Sequence, residues 1–179
     1  MDDRELLERL RGSDGADEAF DSIFRAWYAP LVRAAEAMLR DRAAAEEVVQ
    51  DMMLTLWQRR ETLEVDESLR AYLYRATRNR ALNHLRRQRV ELRGEPYLGD
   101  RNATAPIADS ALGERELAEA IHDAVGALPP RCREVFELSR AHGLTYAEIA
   151  KTLEISVKTV EVQMGKALRV LRERLAAWR

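Results

Sequence analysis

At 179 residues, with 46% apolar side chains, five prolines and eight glycines, the chain has material for one medium or two small helical domains. Its net charge of −2 argues against a uniformly basic nucleic-acid binder, and a single cysteine, Cys132, excludes an intrachain disulfide and fits a reducing compartment. No positive-then-apolar secretory pattern opens the sequence and no run nears the ~18 apolar residues of a membrane span, so the chain reads as soluble and cytoplasmic, without membrane insertion.

Leu6, Leu7 and Leu10 mark a first helix, stopped by the turn cluster Gly12-Ser13-Asp14-Gly15. Asp17 is a candidate cap for a second helix, with Phe20, Ile23, Phe24 and Trp27 at core spacing. Pro30 is expected to interrupt or kink it before Leu31, Ala35, Met38 and Leu39 continue the stripe. Asp41 can cap a third helix from about Ala43 to Arg60, a polar break covers Glu61 to Glu67, and Ser68 starts a fourth helix that runs to about Arg89. Periodicity then fails. Gly94, Pro96, Gly99, Asn102, Thr104 and Pro106 are loop chemistry, and a connection of roughly 20 residues is too long for the interior of one compact domain. The expected division is therefore a domain over 1–92, a flexible linker over 93–113 and a second domain over 114–179. Helices resume at Glu114, pause at Leu128-Pro129-Pro130 and continue to the end.

The charge is distributed in blocks. Residues 1–67 carry nine arginines against seventeen acids, a balance of −8, and residues 68–93 carry eight arginines against Glu91, a balance of +7. Such an arrangement suits two partners of opposite charge. On the third helix Val48, Val49, Met52, Met53 and Leu56 form the inward stripe, while Glu47, Gln50, Asp51, Leu54 and Gln58 share the opposite face. That face is either an ordinary solvated one or, given Leu54 amid carboxylates, a docking surface for a basic partner. The fourth helix has arginines on nearly every side, with Tyr72, Tyr74, Asn79, Asn83 and His84 between them. Arginine neutralises phosphate, aromatic rings stack on unpaired bases and asparagine pairs with base edges, a mixture suited to separated DNA strands. The competing reading is a helix with solvated arginines and its tyrosines in the core, Tyr72 and Leu73 at least in part.

From Thr145 to Leu171 the sequence reads as a helix-turn-helix. Ile149 and Leu153 point inward, small Ala150 permits a close crossing, Ile155 plugs the turn and Ser156 stands at a helix N-cap. Val160, Met164, Ala167, Leu168, Leu171 and Leu175 recur at steps of three and four. The opposite face carries Val157, Lys158, Glu161, Val162 and Gly165, bordered by Thr159 and Gln163, and such a face enters a major groove. An ordinary helical hairpin has a similar pattern.

These segments together resemble the small two-domain sigma factors of bacterial RNA polymerase, the extracytoplasmic-function group. Ala45-Glu-Glu-Val-Val-Gln-Asp-Met-Met-Leu-Thr-Leu-Trp57 resembles the polymerase-docking helix, and Leu69-Arg-Ala-Tyr-Leu-Tyr-Arg-Ala-Thr-Arg-Asn79, continuing to Leu85-Arg-Arg87, the promoter-melting segment. Leu128-Pro-Pro-Arg-Cys-Arg-Glu-Val-Phe-Glu-Leu138 and Thr145-Tyr-Ala-Glu-Ile-Ala150 resemble the entry to the C-terminal domain. The resemblance implies an all-α protein of two helical domains, the second a helix-turn-helix, with core RNA polymerase, promoter DNA and an anti-sigma factor as partners and a single copy in the holoenzyme. It implies polymerase contacts at Glu47, Gln50, Asp51 and Leu54. The "minus ten" element would meet Arg75, Arg78, Asn79, Arg80, Asn83, Arg86 and Arg87, with the loop Arg59 to Ser68 helping Asn79 to capture a flipped base. The "minus thirty-five" element would meet Ser156, Val157, Lys158, Thr159, Glu161, Val162 and Lys166. Tyr72 and Asn83 depart from a usual tryptophan and aspartate, Glu154 from a turn glycine, and Glu161 from a basic or neutral residue. A carboxylate at Glu161 favours cytosine N4 and is repelled by phosphate. Gly165 lies within the recognition helix at a cost of about 1 kcal/mol relative to alanine.

The alternative is a dimeric helix-turn-helix regulator of duplex DNA, which leaves the basic fourth helix without a role. An enzyme has little support. His84, His122 and His142 are scattered away from metal-ligand spacing, Gly165-Lys166 lacks the glycine pattern of a phosphate loop, and neither a cofactor nor a metal is expected.

Overall fold

A computed structural model describes residues 3–12, 14–65, 68–91 and 112–178, for 90, 91, 112–115 and 177 by backbone alone. The described residues are helical without strands, and the chain divides into two compact units, residues 1–103 and 104–179. The expected linker lies outside the described residues except for 112 and 113, which already belong to a helix.

In the first unit α1 (Asp3–Arg11), α2 (Ala16–Leu39), α3 (Arg42–Gln58) and α4 (Leu69–Glu91) surround one core, with a 3-10 turn at Arg60–Thr62. Leu7 and Leu10 of α1, Ala19, Ile23, Leu31 and Val32 of α2, Val49, Met52 and Leu56 of α3, and Leu69 and Leu73 of α4 are buried there. Asp41 caps α3 as expected, its Oδ1 accepting the Ala44 N–H at 3.1 Å. Ser68 does the same for α4, accepting the Ala71 N–H at 3.2 Å. Distant parts also meet at these ends. Asp3 Oδ2 accepts the Leu69 N–H at 3.2 Å, and Arg11 Nη2 donates to the Leu63 carbonyl at 2.6 Å.

Two expectations for α2 need correction, and the one for Pro30 is narrowed, since no interruption occurs there. The helix runs unbroken through Pro30, although proline there forfeits a backbone hydrogen bond. Ile23 before the proline and Leu31, Val32 and Ala35 after it are buried, so both halves of the helix pack into the core. Asp17 is not the N-cap. Gly15 occupies that position at φ 83°, where a glycine carries no steric penalty, and Asp17 lies in the first turn, where its carboxylate favours the helix start. Phe24 is not in the core but 37% exposed, because it follows Ile23 by one residue and is turned about 100° from the buried stripe.

α4 buries Leu69, Ala71, Leu73, Tyr74, Thr77 and Ala81, which at 3.6 residues per turn spans roughly 200° of its circumference. Its later stretch, Arg86 to Arg89, is exposed throughout. Tyr74 packs edge-on against Trp27 at 6.4 Å, and the Arg70 guanidinium lies 5.2 Å from the Trp27 ring centre. Burial pushes the Tyr74 phenol up to about 12 despite Arg33 and Arg70 nearby.

The second unit contains α5 (Leu112–Gly126), α6 (Pro130–Arg140), α7 (Tyr146–Leu153) and α8 (Val157–Arg174), with a 3-10 turn at Ala176–Trp178. Pro130 opens α6 in the first turn, where a missing N–H costs nothing. Ala124, Leu128, Cys132, Ala167 and Leu171 form a core beneath Val125, Phe136, Val170 and Leu175. Arg133 donates to the carbonyls of Gly126 and Leu128, closing the α5–α6 turn. The buried Cys132 thiol bonds to Gln163 Oε1 at 3.0 Å and so ties α6 to α8.

Candidate functional site

Three surfaces carry the residues singled out by the sequence. On α3, Glu47, Gln50, Asp51 and Leu54 are all exposed, Leu54 to 53%, opposite the buried Val48, Val49, Met52, Met53 and Leu56. The helical period alone places them so. Leu54 borders a shallow groove of about 230 Å3 shared with Asp17, Phe20 and Trp57. Sequence reasoning did not find the aromatic rail of α2 beside this strip. Phe24 stacks on Tyr28 at 4.7 Å, Phe20 meets Trp57 edge-on at 5.2 Å, and the Tyr28 hydroxyl accepts from Gln50 Nε2 at 3.3 Å. The signal is present in Phe20, Phe24 and Tyr28 at steps of four, of which the spacing reads Phe20 and Phe24 as core and gives Tyr28 no role. The surface thus combines carboxylates with exposed apolar area, a combination that fits a basic, partly apolar protein partner.

On α4, Asn79, Asn83, Arg86 and Arg87 are exposed, whereas Arg75, Arg78 and Arg80 are half-buried. The arginines are less independent than their count suggests. Arg80 Nη1 donates to the Ala76 carbonyl at 3.4 Å, Arg86 Nη1 to Asn83 Oδ1 at 3.0 Å, and Arg75 and Arg78 are also engaged by neighbouring groups. In the preceding loop Arg60 lies over the Trp57 ring at 4.3 Å and donates to the Trp57 carbonyl at 3.1 Å. Asp66 and Glu67 of that loop lie outside the described residues.

In the second unit α7 and α8 form the expected helix-turn-helix. Thr145 caps α7 in a capping box with Glu148, the Thr145 hydroxyl accepting the Glu148 N–H at 3.3 Å and the Glu148 carboxylate the Thr145 N–H at 2.8 Å. The turn closes without glycine. Glu154 takes the left-handed conformation at φ 55°, and the Ile155 N–H reaches back to the Ala150 carbonyl at 2.9 Å. Ser156 caps α8, its Oγ accepting the Thr159 N–H at 3.1 Å. Val160, Met164, Ala167 and Leu171 are buried, and Val157, Lys158, Glu161, Val162, Gly165 and Lys166 are exposed, with Thr159 and Gln163 between. Stripe and face separate as the spacing predicts.

A further groove, for which the sequence supplied no role, lies between α5 and α6. It is lined by Ile121, Val125 and Phe136 and rimmed by His122, Glu137 and Arg140. Burial raises the Glu137 carboxyl above its ordinary range against the opposing pull of Arg133, while Glu134 adds to the rise and His122 opposes it.

Comparison with known proteins agrees with this geometry. Residues 23–91 match the family model for Sigma-70 region 2, and residues 118–171 that for Sigma-70 region 4. The RNA polymerase sigma factor CnrH of Cupriavidus metallidurans is 28% identical over 93% of this chain and 91% of its own length. The ECF RNA polymerase sigma factor SigK of Mycobacterium tuberculosis is 30% identical over 93% of this chain and 90% of its own. The fold matches the solved structure of CnrH in complex with the cytosolic domain of CnrY at a TM-score of 0.63, with 24% identity over 98% of this chain and 97% of that one. It also matches the sigma factor RpoE of Bartonella quintana, solved with the anti-sigma factor NepR, at a TM-score of 0.66 and 21% identity over 89% and 98%. No helix among the described residues is long and apolar enough to cross a membrane. With two family regions in order and full-length relatives of one kind, the chain belongs to the ECF sigma factors and directs promoter-specific initiation by RNA polymerase.

Proposed function

We infer that the three surfaces divide the work of a sigma factor between them. Residues 1–92 form the domain that docks core polymerase and opens the promoter, 93–113 the connection, and 114–179 the domain that reads the upstream element. Glu47, Gln50, Asp51 and Leu54 meet the polymerase, with the α2 rail of Phe24 and Tyr28 extending the contact. Arg75, Arg78, Asn79, Arg80, Asn83, Arg86 and Arg87 hold and read the separated strands of the minus-ten element, and Ser156, Val157, Lys158, Thr159, Glu161, Val162 and Lys166 read the minus-thirty-five element. The observation that carries this reading is the segregation of charge on the first unit. Glu47, Asp51 and Leu54 stand exposed on α3, and α4 carries seven arginines against the single acid Glu91, with Arg86, Arg87 and Arg89 exposed. The chain works as one copy in the cytoplasm, and the polymerase does the chemistry. An anti-sigma factor holds it inactive, as the complexes of its structural relatives with CnrY and NepR suggest by analogy.

A pull-down with core polymerase and permanganate footprinting of promoter DNA test the division. Asp51→Arg should abolish holoenzyme formation while circular dichroism stays unchanged, because it places a cation in an acidic docking strip. Arg78→Ala with Arg80→Ala should reduce promoter opening more than polymerase binding. Equal loss of both activities in the arginine variant, or normal holoenzyme with Asp51→Arg, overturns the assignment.

A further inference from the structure

Lys158 and Glu161 stand one turn apart on the exposed face of α8, and their charged ends meet, Nζ to Oε2, at 3.2 Å. The two side chains are 83% and 48% exposed, so the core depends on neither. An exposed pair of this kind adds little to folding. It does present a donor and an acceptor side by side, at the spacing of neighbouring groups on a base-pair edge.

In the major groove a G·C pair shows two acceptors, guanine N7 and O6, and then one donor, cytosine N4. An A·T pair alternates acceptor, donor, acceptor, ending in the thymine methyl. A carboxylate that accepts from adenine N6 therefore has a repelling acceptor on both sides. One that accepts from cytosine N4 has guanine O6 on one side, covered by the ammonium, and only a ring C–H on the other. Resting on the reading of α8 as a major-groove helix, we propose that Lys158 and Glu161 act as one unit that reads a single G·C pair. The ammonium donates to guanine O6 and N7, and the carboxylate accepts from cytosine N4. Pairing with Lys158 also lets the carboxylate enter a groove lined by phosphates as part of a neutral unit.

The surroundings fit this use. An exposed apolar side chain stands one turn from each member of the pair, Val157 before Glu161 and Val162 after Lys158, at 43% and 45% exposure. One turn beyond Glu161, a Cβ added at Gly165 would have nothing within 4 Å, so packing inside the protein does not call for glycine there. The open space lies on the same exposed face as the pair and leaves room for DNA.

The test is transcription by reconstituted holoenzyme from a promoter library with the upstream element randomised, using the wild-type chain, Glu161→Gln and Lys158→Ala. Wild type should demand G·C, in one orientation, at one position. Glu161→Gln should weaken that demand roughly tenfold and shift it toward adenine, whose N6 and N7 a carboxamide can bridge, with other positions unchanged. Lys158→Ala should relax the same position. Uniform loss over all sequences, as a phosphate contact gives, or an unaltered preference in Glu161→Gln overturns the proposal while specific initiation by the wild type upholds the role of α8. If wild-type holoenzyme shows no preference anywhere in the upstream element, the major-groove reading of α8 falls, and the paired readout with it.

Discussion

Helices α4 and α8, which carry the residues proposed to meet DNA, are built on opposite plans. α4 buries more than half of its circumference through its first turns, and its polar residues are woven into that packing. Arg70 covers Trp27, Arg80 bonds its own helix, and Tyr74 lies beneath the surface against Trp27. α8 keeps stripe and face apart, so that Val157, Lys158, Glu161 and Val162 touch solvent while Val160, Met164 and Ala167 fill the core. On α8 the exposed residues are therefore free to vary without loss of fold. On α4 the arginines proposed to grip DNA share their helix turns with residues that hold the unit together, and under that proposal promoter opening is tied to folding.

The largest test of this contrast is truncation on each helix. Leu73→Ala should destabilise the chain by about 2–5 kcal/mol in urea unfolding, since the side chain is fully buried. Val162→Ala should stay within about 0.5 kcal/mol and alter promoter choice instead. Equal costs would erase the distinction. A second effect is confined to α4 and appears in alkali. The buried Tyr74 phenol ionises near 12 rather than 10, so the folded state keeps its proton where the unfolded chain has lost it. Stability is full below pH 10 and falls by about 2–3 kcal/mol as pH rises toward 12. Unfolding curves of wild type and Tyr74→Phe at pH 9 and 11.5 isolate the contribution, which the variant should lack. The smallest effect lies in the turn before α8. Glu154→Gly relieves a left-handed non-glycine residue and should stabilise the second unit by about 1 kcal/mol, read as a raised thermal midpoint, with promoter choice unchanged.

The same contrast explains what could be read from the sequence. Caps and stripes are local, so Asp41, Ser68 and Ser156 were legible as helix starts, and the exposed strip Glu47, Gln50, Asp51 and Leu54 followed from spacing alone. The helix-turn-helix was legible whole, because every signal in it lies within about one turn of its partner. Pro30 and Phe24 were not, and Tyr74 stood between two readings, since their environments are set by helices tens of residues away. Nothing in the periodicity of α2 says that the helix will run unbroken through the proline, or that Tyr28 will reach Gln50. The arginines of α4 were legible as a charge block, but their engagement by neighbours depends on packing that no local pattern encodes.

The bonds from α1 to distant carbonyl and amide groups have a consequence for how the first unit is made. Asp3 finds the Leu69 N–H 66 residues away, and Arg11 finds the Leu63 carbonyl 52 residues away. During synthesis α1 emerges long before either partner, and its buried Leu7 and Leu10 wait uncovered until the later helices arrive. The unit is therefore fastened last at the start of α4, so a nascent chain halted in the loop before Leu69 would lack both its final clasp and the helix proposed to open DNA.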